Sequence, residues 1–320
     1  ITAKDLAGNT TTHNKTVYVD RQSPTVAIST LNKADAATNT FVNSANCTFA
    51  GSSTDDLSGI SSLTGYLLTA TAATTIDESS GEEAVKAKAL LSSAIAVGSG
   101  VNAAASWNTT FTIESDGSYV PVFVATDVAG NTSVTIGSQF TADFAAPKST
   151  LALSNVYELE NSSASALTEG NYGDAMDSEG KWSSGKWTDG YTYYAKDDFT
   201  LSGTVSDIAF NSDKISLTVN NVSQSLTKET TGSALTEMNW SYNQTLSSDT
   251  TYTCKLTLED NSGNKITKTF IVQSDKSAPG VSILAPAAGS NQTASSFTVS
   301  GTVNDGAGIG AGAVTYKIYK

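Results

Sequence analysis

A short motif recurs three times along the chain at nearly constant spacing, and this internal repeat constrains the fold more than any other feature. In each copy an aspartate is followed by a glycine-asparagine pair, then by a second aspartate and a proline. Asp5, Asp127 and Asp260 precede Pro24, Pro147 and Pro279 by 19, 20 and 19 residues (24 − 5, 147 − 127 and 279 − 260). Similarity at a regular period indicates tandem copies of one structural unit.

A second motif gives the same alignment. Gly51, Gly203 and Gly301 each stand four residues before an aspartate, at the end of a segment in which apolar and polar residues alternate. This period of two is typical of a half-buried strand, and glycine-asparagine pairs suit hairpin turns. Units of roughly 100 residues plus insertions, made of short strands and turns, predict an all-β sandwich fold.

The combined motifs resemble a known family. The Asp-x-Ala-Gly-Asn hairpin, the Asp-x-x-x-Pro linker and the Ser-Gly-Thr-Val-x-Asp segment are similar to the bacterial immunoglobulin-like (Big-type) tandem repeats of large surface proteins and adhesins. The resemblance covers nearly all of the chain except two insertions. It implies tandem immunoglobulin-like β-sandwiches stacked into a rod, often with calcium at the junctions, and an extracellular or bacterial cell-surface location.

The alignment divides the chain into four expected segments. They are the C-terminal strands of a partial repeat (1–22), a repeat with an insertion at 72–106 (23–146), a repeat with an aromatic insertion at 155–196 (147–278), and the N-terminal strands of another partial repeat (279–320). The terminal pieces are too short to bury a core alone. Either the chain is cut from a longer protein, or the C-terminal strands of one copy complement the N-terminal strands of the next.

The first insertion is predicted to contain a short helix over about 81–95. Ser80 and Glu83 have the spacing of a capping box, and Glu82 and Lys86 form an i,i+4 pair. The apolar residues that follow recur at helical spacing. We expect this helix either to cover an exposed sheet edge or face, or to dock a partner.

The second insertion combines acidic and aromatic residues. Trp182, Trp187, Tyr191 and Tyr193 are candidate ligand contacts, because exposed aromatic rings stack on sugars or anchor protein partners. A host or matrix glycan or protein is the expected partner of such a surface. The alternative is that these rings form a small additional core that orders a long loop.

Aspartates at equivalent repeat positions are the candidate metal ligands. In an immunoglobulin-like sandwich the preceding linker, the B–C loop and the F–G loop lie at one pole, and each carries an aspartate here. The predicted sets are Asp20, Asp55, Asp56 and Asp127 for the first whole repeat, Asp143, Asp207 and Asp260 for the second, and Asp275 and Asp305 for the last partial repeat. Several carboxylates with loop carbonyls suit Ca²⁺, whereas the alternative is that each aspartate only caps its own turn.

Composition limits the remaining function classes. The formal net charge of −13 disfavours nucleic acid and anionic membrane surfaces as partners, since both need clustered Lys and Arg. Direct membrane insertion is not expected, because no stretch approaches the roughly 20 apolar residues of a membrane span. One histidine and two cysteines leave little material for zinc sites or nucleophilic catalysis, and the cysteines fall in different repeats. We therefore expect a structural or adhesive spacer that contacts neighbouring repeats and is not an enzyme. The alternatives are a glycan- or protein-binding module and a self-assembling filament or surface-layer subunit made of copies of the chain.

Overall fold

The protein divides into two compact, almost entirely β-structured units. A computed structural model describes residues 1–38, 40–96, 105–154, 156–160, 163–166, 192–233, 235–306 and 314–319. Unit 1 is Ile1–Phe144 and unit 2 is Ala145–Lys320. Within the described ranges, no helix has both the length and the apolar character needed to span a membrane.

Unit 1 contains an exposed N-terminal hairpin and a two-sheet sandwich. In chain order its elements are β1 (Thr2–Lys4), β2 (Thr10–Thr12), β3 (Thr25–Leu31), β4 (Ala34–Asp35), β5 (Phe41–Val42), β6 (Asn46–Thr54), β7 (Ile60–Thr69), α1 (Ala70–Ala73), α2 (Glu82–Lys86), β8 (Leu91–Ile95), β9 (Ala105–Thr112), β10 (Gly117–Asp127), β11 (Thr132–Ile136) and β12 (Phe140–Ala142). One sheet has the order β4-β3-β6-β9. The other has the order β5-β12-β10-β7-β8, with β11 also paired to β10.

The strand order of unit 1 is that of an immunoglobulin-like sandwich. The N-terminal edge of the sandwich is shared between the sheets, since β3 pairs antiparallel with β6 whereas β5 pairs parallel with β12. Alternate residues of the strands point inward, as the period of two predicts. Phe49 lies at the centre of the core, with its ring centroid 6.0, 6.2 and 5.8 Å from those of Phe111, Phe123 and Phe140.

The first insertion differs in part from the prediction for 81–95. The helix covers only Glu82–Lys86, and Leu91–Ile95 forms strand β8, paired to β7. The predicted capping box is wrong, because Gly81 is the N-cap and no side chain caps the helix. Ser80 instead donates its hydroxyl to the Asp77 carboxylate at 3.2 Å. Spacing could not separate helix from strand at the C-terminal end of this segment, where β7 offers a free edge.

The interpretation that the insertion covers a sheet face is confirmed. Val85 of α2 and Ile76 before it are buried against the outer face of β7, β10 and β11, and the Tyr66 hydroxyl donates to Glu82 Oε1 at 2.7 Å. The apolar cluster outside the main sandwich consists of Tyr66, Leu68, Ile76, Val85, Val120, Val122, Val124 and Val134. Unit 1 therefore has a third layer.

Unit 2 repeats the same two-sheet plan. In chain order it contains β13 (Lys148–Ser149), β14 (Ala152–Ser154), β15 (Tyr157–Glu160), β16 (Ser163–Ala166), β17 (Thr192–Ala195), β18 (Phe199–Phe210), a 3-10 turn (Ser212–Lys214), β19 (Ile215–Val219), β20 (Val222–Gln224), β21 (Thr227–Lys228), β22 (Leu235–Gln244), β23 (Thr250–Glu259), β24 (Lys265–Ser274), β25 (Gly280–Ala285) and β26 (Ser300–Asn304). One sheet has the order β13-β18-β22-β21, with β14 also on β18. The other has the order β16-β15-β17-β24-β23-β19-β20, and β25 and β26 form a separate hairpin.

Steric crowding explains why the second motif contains glycine, which the sequence alone did not reveal. A Cβ atom on Gly51 would lie 2.0 Å from the carbonyl oxygen of Ala27, and one on Gly203 would lie 2.0 Å from that of Thr150. At Gly301 the Ser282 carbonyl oxygen would be 2.2 Å away. The pairing of the facing strand is irregular at or next to each of these contacts, and its carbonyl oxygen lies directly over the glycine Cα.

A buried tryptophan stands opposite the glycine in both units. Trp107 pairs with Gly51 and Trp240 pairs with Gly203, and the two side chains are 3% and 2% exposed. Both tryptophans are therefore core residues. Cys47 and Cys254 are likewise buried, one in each unit, and neither is in a disulfide.

Candidate metal centre

The Asp-x-x-Gly-Asn motif forms the same hairpin turn in all three copies. The glycines adopt left-handed backbone conformations, with φ of +92° at Gly8, +94° at Gly130 and +91° at Gly263. In each turn the asparagine N–H donates to one carboxylate oxygen of the aspartate at 2.8 Å, and its side-chain amide donates to the other at 2.7 Å. These pairs are Asn9 with Asp5, Asn131 with Asp127, and Asn264 with Asp260. Turn capping by these aspartates is therefore present.

Asp55 caps the loop between β6 and β7. Its Oδ1 accepts hydrogen bonds from the N–H groups of Leu57, Ser58 and Gly59 at 3.3, 2.9 and 2.7 Å. The side chain is buried, with 5% of the residue exposed. Since all of these bonds reach Oδ1, Oδ2 keeps its lone pairs for another ligand.

Asp20 brings the linker before β3 to the same pole. Its Oδ1 accepts from the Gln22 N–H at 3.0 Å and its Oδ2 from the Ser58 N–H at 3.1 Å. A hydrogen bond from the Ser58 side chain and one from the Gln22 backbone lower the pKa of this carboxyl below its usual value. The Asn131 side-chain amide also reaches the Asp20 carbonyl oxygen at 3.4 Å. The linker is thus tied to both loops.

Asp20, Asp55 and Asp127 converge on one point of unit 1. One carboxylate oxygen of each lies within 4.8 Å of the others, and Asp127 is only 1% exposed. Among the described residues, no ion pair joins any of the three to a Lys or Arg. At an effective dielectric constant of about 20, two unit charges at this distance repel by about 3 kcal/mol, which applies to the buried pair Asp55 and Asp127.

The donor set fits a hard divalent cation. All three side chains offer oxygen, the atom that Ca²⁺ and Mg²⁺ prefer, and neither histidine nor cysteine belongs to the group. Ca²⁺–oxygen distances of about 2.3–2.6 Å allow two ligands on opposite sides of one ion to lie about 4.6–5.2 Å apart. A separation of up to 4.8 Å is therefore compatible with one shared Ca²⁺. The carboxylates can cap their turns and bind an ion together, because each oxygen has two lone pairs.

Asp56, predicted as a fourth ligand of this set, is not brought into the group. It is exposed, whereas Asp55 before it is buried. Successive residues at the end of a strand point to opposite sides, so only one of two adjacent aspartates can face the pole. Asp56 instead lines a shallow surface depression with Tyr18 and Val128.

The second predicted set divides between the two units. In unit 1, Asp143 is buried, and its N–H donates to the Val42 carbonyl oxygen at 2.9 Å. In unit 2, Asp207 is half-buried at the end of the regular part of β18, and Asp260 is fully buried. The Lys214 ammonium donates to the Asp260 carbonyl oxygen at 2.7 Å and pairs with Glu259 at 3.4 Å. The corresponding position of unit 1, Ser62, carries no charge.

The pair of aspartates predicted for the last partial repeat does not form a group with a third acidic side chain among the described residues. Asp275 and Asp305 are both half-buried in unit 2, and neither belongs to a group of three acidic side chains in its described part. Asp275 caps the turn after β24, since its Oδ1 accepts from the Ser277 N–H at 3.0 Å.

The prediction of Tyr193 as one of the four aromatic ligand contacts is wrong. It is 2% exposed in the core of unit 2, with its ring centroid 6.4 Å from that of Phe270 at an interplanar angle of 79°. The parallel pairing of β17 with β24 turns its side chain inward. Trp182, Trp187 and Tyr191 lie outside the described residues.

Sequence reasoning missed the donors that position the carboxylates. Ser58 binds Asp20 and Asp55, and Asn131 binds Asp20 and Asp127. The recurrence of asparagine at the last position of the turn motif was the available signal for Asn131. No comparable signal marks Ser58, because the matching position in unit 2 is Phe210.

Comparison with known proteins gives structural similarities of low strength. No protein-family model and no curated protein matches the chain. A crystal structure of the tetra-tandem repeat in the extending region of a large adhesion protein is 18% identical, over 89% of this chain and 58% of that one, with a TM-score of 0.29. The fibronectin(III)-like modules of Clostridium thermocellum CbhA are 10% identical over 77% and 93% of the two chains, with a TM-score of 0.30.

A third similarity is to SGBP-B of a Bacteroides ovatus mixed-linkage glucan utilization locus, solved with a heptasaccharide. It is 13% identical over 82% of this chain and 72% of that one, with a TM-score of 0.20. This chain spans little more than half of the adhesion-protein chain. TM-scores of this size carry no argument about function. The immunoglobulin-like fold of the two units therefore rests on their own strand order and pairing.

Proposed function

We propose that the chain is a structural or adhesive spacer of a bacterial cell-surface or secreted protein, built from successive bacterial immunoglobulin-like repeats. The observation that carries the proposal is the threefold recurrence of one hairpin turn with the same hydrogen-bond lengths at Asp5, Asp127 and Asp260. Tandem copies of one β-sandwich suit a part whose task is to extend and bear load. The proposal includes no catalytic role.

The location is tested on intact cells. An antibody raised against the purified chain is expected to label unpermeabilised cells of the source bacterium, or to detect the protein in the culture medium. External protease should remove the cell-associated signal. Recovery of the protein only in the cytoplasmic fraction would refute the spacer proposal.

Within this function we propose that Asp20, Asp55 and Asp127 bind Ca²⁺ and so fix the linker before β3 to the sandwich of unit 1. The supporting observations are the convergence of three carboxylates without a neutralising cationic side chain among the described residues, and the attachment of Asp20 to both loops. A bound cation would relieve the mutual repulsion of these groups.

Calcium binding is tested by thermal unfolding in millimolar Ca²⁺ and in excess EGTA. At a Ca²⁺ concentration 100 times its Kd, the ion stabilises the folded unit by about 2.7 kcal/mol. With an unfolding entropy of about 0.3 kcal/mol/K for a unit of this size, the Tm of unit 1 rises by about 9 °C. An unchanged Tm in EGTA would leave only the turn-capping role.

A matched pair of variants isolates the site from the turn. Asp127→Asn keeps an acceptor for the Asn131 N–H but removes one charge from the group, and should abolish most of the Ca²⁺ response. Asp5→Asn makes the same change in the equivalent turn, where Asp5 belongs to no group of three acids among the residues that the structure describes. This control should keep the full response, and equal loss in both variants would argue against the site.

The alternative functions remain predictions. A glycan- or protein-binding role for the insertion at 155–196 now depends on Trp182, Trp187 and Tyr191, since Tyr193 belongs to the core. Neither this role nor self-assembly into a filament is favoured by a contact among the described residues.

A further inference from the structure

The linker between the N-terminal hairpin and the sandwich of unit 1 is an exposed stretch of chain. Residues 13–24 belong to no strand or helix, and all of them except Asp20 and Pro24 are exposed. Among the described residues, none forms a hydrogen bond with the backbone of residues 14–19. Exposed chain without regular hydrogen bonds is where endoproteases cut first.

Two basic residues lie in this linker, Lys15 and Arg21. Arg21 is the only arginine of the chain, and it is exposed. No hydrogen bond joins its main-chain N–H or its guanidinium group to another residue in the described part of the chain. The guanidinium group is therefore free to enter the specificity pocket of a protease. A cut after Arg21 would fall between β2 and β3.

The peptide bond after Arg21 is held in a turn, unlike the bonds before it. Its N–H is that of Gln22, which donates to Asp20 Oδ1 at 3.0 Å. This side-chain bond two residues along the chain closes an Asx turn around Arg21. Protease active sites bind their substrates as extended strands. Asp20 thus keeps this bond out of the conformation in which it can be cut.

Asp20 in turn is attached to the sandwich. Its Oδ2 accepts the Ser58 N–H at 3.1 Å, and its carbonyl oxygen accepts the Asn131 side-chain amide at 3.4 Å. On the other side of Arg21, Pro24 is buried. The short segment that contains the bond is therefore fixed at both ends. Detachment of Asp20 is a local opening, which leaves the strands of the sandwich paired.

The same arrangement recurs in unit 2. Asp275 Oδ1 accepts the Ser277 N–H at 3.0 Å, so that a basic residue, Lys276, again stands inside an Asx turn. Lys276 is held more firmly than Arg21, since its N–H donates to Asp249 Oδ1 at 2.7 Å and its ammonium group to the Leu246 carbonyl oxygen at 2.8 Å. Of the two positions, Arg21 is the one that opens when the turn is lost.

We propose that the Arg21–Gln22 peptide bond is a guarded cleavage site for an endoprotease that binds arginine in its specificity pocket. The site is closed while Asp20 is attached to the sandwich, and it opens when the linker detaches. Hydrolysis breaks the C–N bond between Arg21 and Gln22. Water supplies the hydroxyl group of the new Arg21 carboxyl group and the hydrogen of the new Gln22 amine. The cut separates the N-terminal hairpin from the sandwich.

Limited digestion of the whole chain with trypsin in EGTA tests the guard. Mass spectrometry follows the new N-termini at Thr16 and Gln22, and each rate is divided by that of a synthetic peptide of residues 10–27. For the bond after Lys15 the ratio should be close to 1. For the bond after Arg21 it should be below about 0.1, because cleavage follows the small population in which Asp20 is detached. Equal ratios at the two bonds would overturn the proposal.

Substitutions of Asp20 assign the protection to this side chain. Asp20→Ala should raise the ratio at Arg21 at least about 10-fold and leave that at Lys15 unchanged. A peptide with the same substitution corrects for the direct effect of the neighbouring residue on trypsin. Asp20→Asn should give a smaller rise, since its amide oxygen still accepts the Gln22 N–H but the charge is lost.

A matched control removes a turn of the same kind elsewhere in unit 1. Asp35 Oδ1 accepts the Ala37 N–H at 2.9 Å, so Asp35→Ala should leave both ratios unchanged. An unchanged ratio at Arg21 in Asp20→Ala would overturn the proposal, as would an equal rise in Asp35→Ala, which would indicate unfolding. If circular dichroism shows that Asp20→Ala does not fold, Asp20→Asn serves for the comparison.

The guard goes beyond the spacer function and stands apart from the proposed Ca²⁺ site. It depends on the hydrogen bonds of Asp20, and EGTA excludes any contribution from a bound cation. An unchanged Tm in EGTA would refute Ca²⁺ binding and leave the guard intact. Cleavage after Arg21 that is insensitive to Asp20→Ala would refute the guard without bearing on Ca²⁺ or on the location of the protein.

Discussion

Replacing Gly51 with alanine tests the packing that most clearly distinguishes these repeats. An added Cβ would lie 2.0 Å from the Ala27 carbonyl oxygen and 2.5 Å from Cζ2 of Trp107. Since real Cβ contacts stay beyond 3.0 Å, the carbonyl must move by at least 1 Å (3.0 − 2.0). That carbonyl belongs to β3, which is hydrogen-bonded to β6, so the displacement disturbs the sheet as well as the core.

The expected destabilisation follows from the two groups that must move. Overpacking a well-filled core costs typically about 1–3 kcal/mol, and here both a main-chain carbonyl and an indole ring are displaced. We therefore expect a loss of about 3 kcal/mol from the free energy of unfolding of unit 1. With an unfolding entropy of about 0.3 kcal/mol/K, its Tm falls by about 10 °C, while unit 2 is unaffected.

Two other glycines provide a graded control for this measurement. A Cβ on Gly81 meets nothing within 4 Å, so Gly81→Ala should change the Tm of unit 1 by less than about 3 °C. Gly130 also has open space but a φ of +94°, so Gly130→Ala should cost about 1–2 kcal/mol. Differential scanning calorimetry gives the three values. A Tm for Gly51→Ala no lower than that for Gly130→Ala would refute the steric argument.

The remaining predictions concern buried polar and thiol groups. The Ser53 hydroxyl is buried and has no hydrogen-bond partner among the described residues, and the matching residue of unit 2 is Val205. Ser53→Val should therefore raise the free energy of unfolding of unit 1 by about 1 kcal/mol and its Tm by about 3 °C. The reverse change, Val205→Ser, should lower the stability of unit 2. A lower Tm for Ser53→Val in calorimetry would contradict this prediction. Burial raises the pKa of the Cys47 thiol to about 11 and that of Cys254 to about 12, so at pH 8 both should react with a thiol reagent at least ~100-fold more slowly in the native protein than in urea. On heating, labelling followed by peptide mapping should show Cys47 reacting as unit 1 melts and Cys254 reacting as unit 2 melts. If the melt has two transitions but both cysteines are labelled together, the two units do not unfold separately.

Much of the candidate metal centre was predictable because its carboxylates follow local signals. Asp55 and Asp127 stand where an alternating strand ends in a turn, and the repeat alignment places those turns in equivalent positions. Adjacent antiparallel strands that carry such turns bring them to one end of the sandwich. The prediction of Asp56 failed because the sequence alone does not tell which of two neighbouring carboxylates faces the pole.

Features that depend on distant partners were not predictable in the same way. Leu91 and Ile95 fit a helical spacing, yet their segment becomes a strand because β7 has an edge to pair with. Tyr193 looks like one more ring of an aromatic loop, but its backbone partner Val272 lies 79 residues further along the chain (272 − 193). The reason for Gly51 is likewise hidden, because an irregularity in a different strand places the Ala27 carbonyl above it.

The apolar layer beneath the first insertion has a consequence for how this chain can be shortened. Tyr66, Leu68 and Val122 belong to sandwich strands, yet they are buried under residues of the insertion. Trimming the insertion to leave a minimal sandwich would therefore expose these apolar side chains to solvent. A minimal version of unit 1 must therefore replace those strand residues with polar ones in the same step. The insertion and the apolar sheet face that it covers can be gained or lost only together.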